Sequence, residues 1–148
     1  MILYTIGFTQ KTAEHFFESL IKNNIQLLAD VRLNNHSQLA GFAKGDDLAY
    51  FLHHLGKIKY VYCPDLAPTK ELLDGYRKKE IDWPQYVEIY HDLMERRGTY
   101  KTFVKRFSEY EKVCLLCSEA TPEQCHRRLA AEMIADASEE EIAVRHIL

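Results

Sequence analysis

"ILYTIGFTQKTAEHFFESLIKNNIQLLADVR", residues 2–32, decides the fold. The run ILYTI (2–6) has the length of a short buried strand, and Gly7 ends it. Thr12 is a suitable N-cap, and Phe16, Phe17, Leu20 and Ile21 after it fall on one helical face. IQLLADV (25–31) is a second strand. Strands separated by helices imply parallel pairing through right-handed crossovers.

The same alternation continues along the chain. RLNNHSQLAGFAKG after the second strand reads as a loop, since its Asn, Ser and Gly content opposes regular structure. Leu48, Phe51, Leu52 and Leu55 mark the inner face of a helix that Gly56 can end. IKYVYC (58–63) is a third strand, closed by Pro64. Residues 67–98 read as broken helix, with Pro84 at a first helical position and Trp83, Val87, Tyr90 and Met94 on one stripe. Tyr100, Phe103, Val104 and Phe107 mark another helix, and KVCLLCS (112–118) a fourth strand. A last helix is expected from about Pro122 to Ala135, followed by a closing strand at IAVRHIL (142–148). The expected fold is a Rossmann-like α/β three-layer arrangement: an open, mainly parallel sheet of about five strands with helices on both faces. Such sheets bind ligands beyond the carboxyl ends of their strands.

Composition narrows the function classes. The 148 residues are expected to form one domain with a real hydrophobic core. A net charge of -3 gives no global attraction to nucleic acid or to an anionic membrane. No apolar run approaches the ~20 residues of a membrane helix. MILYTIGFTQ lacks the basic and apolar regions of a signal peptide, so a cytoplasmic location is expected. Cys63, Cys114, Cys117 and Cys125 are too sparse for a disulfide scaffold and read as reduced thiols.

The richest chemistry lies in LLCSEATPEQCHRR (115–128). Thr121, Pro122 and Gln124 spell a capping box with a helix-starting proline. That reading puts Cys125, His126 and Arg127 in the first turns of a helix, where free N–H groups and the dipole favour an anion. Arg127 would add a bidentate fork. A thiol at Cys125 would ionise more readily there, more so beside a protonated His126. The bland alternatives are an ordinary Glu123–Arg127 surface pair and a Cys125 that simply faces the core.

Zinc is discounted on spacing. Cys114 and Cys117 are three apart on a strand and point to opposite faces, which also argues against a redox pair. Cys117, Cys125 and His126 supply three donors, but their spacing fits no common zinc pattern. No metal and no cofactor are therefore expected.

At the end of the second strand, Asp30 and Arg32 lie two apart, on one side if the strand continues. They are either a local ion pair or a carboxylate and a cation facing a site. His36, Phe42 and Lys44 in the following loop are candidate pocket residues, with Phe42 as a lid or stacking surface or simply an anchor to the core.

YTIGF, LLADVR, GFAK, APTKELLDGYRKKEIDWPQYVEIY and LLCSEATPEQCHRRLAAE, in that order, resemble the family catalogued as domain of unknown function 488. The last stretch is the most specific. The resemblance implies a small prokaryotic cytoplasmic α/β protein with no assigned activity. Its motif positions here are Thr5, Gly7, Asp30, Arg32, Phe42, Glu119, Cys125, His126 and Arg127. The chain departs at Phe8, where the family commonly carries a histidine; His36 is the candidate to replace it.

Three functions compete. The first is an enzyme on an anionic or phosphate-bearing small molecule, nucleotides included. Arg32, Arg127, Thr5 and Gly7 would bind the anion, Glu119 or Asp30 would be the base, and Cys125 or His126 the nucleophile or proton shuttle. The second is a non-catalytic nucleotide or nucleic-acid binding module, with Phe42 or Tyr62 stacking on a base. The third is a purely structural polar network.

Overall fold

The computed structural model describes residues 1–36 and 41–148, so residues 37–40 of the stretch read as a loop after the second strand lie outside the described set. β1 (Ile2–Gly7) and α1 (Ala13–Lys22) open the chain, followed by β2 (Leu27–Asp30) and α2 (Gly45–Gly56). β3 (Lys59–Tyr62), α3 (Lys70–Arg77), α4 (Trp83–Arg97) and α5 (Phe103–Arg106) come next. β4 (Lys112–Cys117), α6 (His126–Ala137) and β5 (Ala143–His146) complete the fold. The five strands form one sheet in the order β3-β2-β4-β1-β5, every pair parallel. No helix is long and apolar enough to cross a membrane among the described residues.

Strand alternation splits the core into two layers. Leu3, Leu27, Ala29, Val113, Leu115 and Cys117 face one side, where α3 to α6 supply Leu72, Tyr90, Phe103 and Leu129. Tyr4, Ile6, Leu28, Cys114 and Leu116 face the other, against Phe16, Phe17 and Leu20 of α1 and Leu48 and Leu52 of α2. Cys114 and Cys117 therefore lie on opposite faces of β4.

Local signals set most boundaries. Thr12 caps α1, its hydroxyl accepting from the His15 N–H at 3.1 Å. Asp82 and Gln85 form a reciprocal capping box on α4, so Pro84 is the second helical residue rather than the first. Leu55 departs from its expected inner position and is 56% exposed, because the buried stripe of α2 ends at Leu52. The left-handed residue that ends α2 is Lys57, one beyond Gly56. The loop after β2 contains a 3-10 turn at Gly41–Ala43, and the helix expected near Tyr100 is a 3-10 turn, Thr99–Thr102, leading into α5.

The largest departure is at the last helix. α6 begins at His126, with Cys125 as its N-cap in extended backbone and no side-chain cap. The Thr121–Gln124 box does not start it. Residues 122–125 close a separate turn, Cys125 N–H to Pro122 carbonyl at 3.3 Å, and the chain then changes direction. Tertiary contacts decide this: His126 must meet Val31 and Arg127 must reach Thr5, and both require the helix axis to begin at residue 126.

Candidate functional site

The carboxyl ends of β2 and β4 open into a cleft of about 1100 Å³. Arg32 and Asn34 wall it on one side, Cys117 to Glu119 with Cys125 and His126 form another part, and α3 with the start of α4 closes the far side. This is the strand-end location where open parallel sheets bind ligands.

Asp30 and Arg32 form a buried bidentate pair. Arg32 Nε donates to Asp30 Oδ1 at 2.9 Å and Nη2 to Oδ2 at 2.7 Å. The Tyr60 hydroxyl donates to the same Oδ2 at 2.6 Å, and Arg32 Nη2 also reaches the Ala43 carbonyl at 2.7 Å. Burial, then the Asp30 carboxylate, pushes the Tyr60 hydroxyl far above its ordinary range, so it stays protonated as a donor. Both Asp30 oxygens are thus engaged within the wall, and Asp30 does not line the cleft. Arg32 does line it, is 3% exposed, and retains Nη1 with no hydrogen-bond partner among the described residues. Phe8 lies beneath that guanidinium, 5.2 Å from ring centroid to Cζ. Phe8 therefore supports Arg32 and is buried rather than cleft-lining.

The second cluster joins β4 to α6. Cys117 Sγ lies 3.6 Å from His126 Nδ1, and Cys117, Cys125 and His126 bring their donor atoms within 4.8 Å of one another. His126 Nε2 is 2.7 Å from the Val31 carbonyl. A carbonyl only accepts, so Nε2 carries a proton, which leaves Nδ1 as the nitrogen able to bind a metal or accept a hydrogen bond in the neutral ring. The Cys117 thiol is shifted down, first by the hydrogen bond from Cys125 and further by the Ser118 and Glu119 amides, against the opposing effect of burial. The Cys125 thiol is pushed well up by the same partnership and by burial. This reverses the expectation for Cys125: as a buried N-cap it hands the ionisable role to Cys117, which the reading of the sequence did not single out for a role.

Arg127 is fully buried. Its Nε donates to Thr5 Oγ1 at 3.3 Å, and its Nη1 donates to the Glu119 carbonyl and to Cys125 Sγ, the latter at 3.7 Å. Glu123 lies outside α6, and the Glu123–Arg127 pair that stood as the bland alternative does not form; among the described residues the i, i+4 ion pair of this helix is Arg128–Glu132 at 3.6 Å. Thr5 and Gly7 sit at the end of β1 beneath Arg127, not in the cleft. Glu119 is exposed and lines the cleft with its side chain's residue, while its carbonyl serves Arg127.

The loop candidates lie elsewhere. Phe42 packs on Phe16 and Phe17 at 5.3 and 5.8 Å between ring centroids, so it anchors the loop to the α1 side and is no lid over the cleft. Lys44 is the N-cap of α2, and His36 is exposed; neither lines the cleft.

The cleft's far wall went unread in the sequence. Trp83 and Tyr86 stack at 5.1 Å with an interplanar angle of 15°, and Tyr76 meets both edge-on. Lys70 and Arg77 add exposed cations to the rim. Trp83 was visible as a member of an apolar stripe. Nothing in its spacing signalled that its face would look onto a strand end of another unit.

The family described as Domain of unknown function DUF488 matches residues 12–134, and the chain belongs to that family. No curated protein and no solved structure matches.

Proposed function

We propose that this member of the family is an enzyme acting on an anionic small molecule of nucleotide-like chemistry, bound in the cleft beside β2 and β4. The observation that carries the reading is Arg32 Nη1: a buried guanidinium nitrogen without a partner among the described residues, on a side chain that walls the cleft. An unpaired buried donor costs about 1–3 kcal/mol, and an anion entering beside it removes that cost. Lys70 and Arg77 add long-range attraction at the rim. The stacked Trp83–Tyr86 face offers a surface for a planar base. The catalytic part of the reading is supported by a thiol, an imidazole and the Glu119 carboxylate sharing the same cleft.

The structural reading is favoured by one observation, the closed Asp30–Arg32–Tyr60 network, and applies to Asp30 and Tyr60. Arg32 is a poor residue to mutate first, since removing it strands a buried carboxylate at a cost of about 3–5 kcal/mol. Thermal shift with inorganic phosphate, adenosine and adenosine monophosphate is the direct test. The monophosphate is expected to raise Tm more than either fragment, with the gain reduced in Trp83→Ala and Arg77→Ala. No Tm change with a panel of nucleotides and sugar phosphates would sink the reading.

A further inference from the structure

Arg127 sets the electrostatic problem at the base of the cleft. It is a fully buried cation, and no carboxylate pairs with it among the described residues. A buried charge needs a compensating partner. Besides the neutral Thr5 hydroxyl and Glu119 carbonyl, it reaches a group that can carry negative charge: Arg127 Nη1 lies 3.7 Å from Cys125 Sγ. Cys117 Sγ lies in turn 3.6 Å from His126 Nδ1.

We propose that Cys117, Cys125 and His126 form a binding site for a soft divalent cation of the zinc class, with its fourth position facing the cleft. The three donors lie within 4.8 Å of one another, are all buried, and all line the cleft. Two sulphurs, one imidazole and an open fourth place make a donor set used by catalytic zinc. Zn–S of ~2.3 Å and Zn–N of ~2.1 Å at tetrahedral angles set the S···N edge at about 3.6 Å. The Cys117 Sγ to His126 Nδ1 separation is 3.6 Å. Sγ is also 3.7 Å from Nε2, so it lies over the ring rather than along the Nδ1 lone pair. Ligation therefore turns the imidazole about its Cβ–Cγ bond, a torsion with a broad well. With the ring as it stands, the Val31 carbonyl lies on the second imidazole nitrogen, and Arg127 lies on a ligand sulphur, an outer partner of the kind that tunes metal ligands. The spacing objection to zinc falls because the chain turns back between residues 118 and 125, which brings Cys125 and His126 to the end of β4.

The site stands without the anion reading, which concerns only what enters the fourth position. An ion there would polarise an oxygen of a bound molecule or of water.

The test is cobalt titration of the full chain under reducing conditions. The expected result is one cobalt per chain, displaced by zinc, with a thiolate-to-cobalt charge-transfer band and tetrahedral visible bands. Cys117→Ser and Cys125→Ser should each weaken binding by more than about 100-fold, beyond the loss typical of outer partners. Cys63→Ser and Cys114→Ser should leave the spectrum unchanged. Should either ligand variant fail to fold, zinc protection of Cys117 and Cys125 from alkylation in the wild type serves in its place. Absence of the charge-transfer band in the fully reduced wild type overturns the proposal. So does a band that persists in both ligand variants, or a reduced protein whose Cys117 and Cys125 alkylate at the same rate with and without zinc.

Discussion

A methyl group on Gly7 would sit 1.6 Å from the Glu119 carbonyl oxygen, which explains a glycine at the end of β1 without any ligand. The loop after β4 passes directly over that position, and the Glu119 carbonyl beside it accepts from Arg127. Thr5, two residues earlier, mediates between two further groups. Its hydroxyl accepts from Arg127 Nε and lies 2.6 Å from His146 Nδ1, to which it can donate when the ring is neutral. His146 is shifted down, first by burial and then by Arg127 and Arg128, against Glu132 and Glu123. The folded state thus favours the neutral ring. Stability from this contact is fully present above the unfolded histidine value of about 6.5 and is lost as pH falls through the lower folded value. A His146→Asn variant is expected to show a flatter change of denaturation midpoint between pH 7 and pH 5 than the wild type. Proton titration of the His146 ring by NMR reads the downward shift directly.

Local sequence and tertiary demand agree in some helices and conflict in others. At α4 they agree. Asp82 accepts from the Gln85 N–H at 2.9 Å and Gln85 returns the contact at 2.9 Å, with Pro84 inside the first turn. Asp82→Ala is expected to cost about 1 kcal/mol, seen as a lower chemical denaturation midpoint with unchanged slope. The loss also matters for the cleft, because α4 begins with Trp83. At α6 they conflict. Thr121, Pro122 and Gln124 have the residue types of a helix start, yet the helix waits until His126. A cap of that kind is worth about 1 kcal/mol. Seating Arg127 and His126 in the core outweighs it, since each would otherwise be a buried polar group with its partners lost.

Across the whole molecule, the two faces of the sheet keep different chemistries apart. Cys114 is sealed in the layer under α1 and α2, while Cys63 belongs to the layer under α3 to α6. Burial raises the Cys114 thiol and pushes the Cys63 thiol up to about 12. Neither lines the cleft, whereas Cys117 and Cys125 do. With iodoacetamide at neutral pH, Cys117, which lines the cleft and whose thiol is shifted down, is expected to react from the native state. Cys63 and Cys114 are expected to react only at the rate of global unfolding, which added denaturant accelerates. Mass spectrometry of the labelled peptides checks this; native labelling of Cys114 at the rate of Cys117 would contradict the two-layer packing.

The order of elements and the two-sided parallel sheet were legible in the sequence, because each strand and helix writes its own period of apolar residues. So were Arg32, Glu119, Cys125 and His126 as residues of strand ends, since that position follows from fold class alone. Tertiary structure decided the rest. Of the two readings open for Asp30 and Arg32, the local pair formed, with Tyr60 joining it in the wall, and Arg127 turned into the core, because its partners come from residues 5 and 119, which no local pattern announces. Cys117 gained its neighbours, and Trp83 and Tyr86 their place on the cleft, only when distant segments folded over one strand end. Periodicity is a property of a few adjacent turns, and it carries no record of which segments will meet.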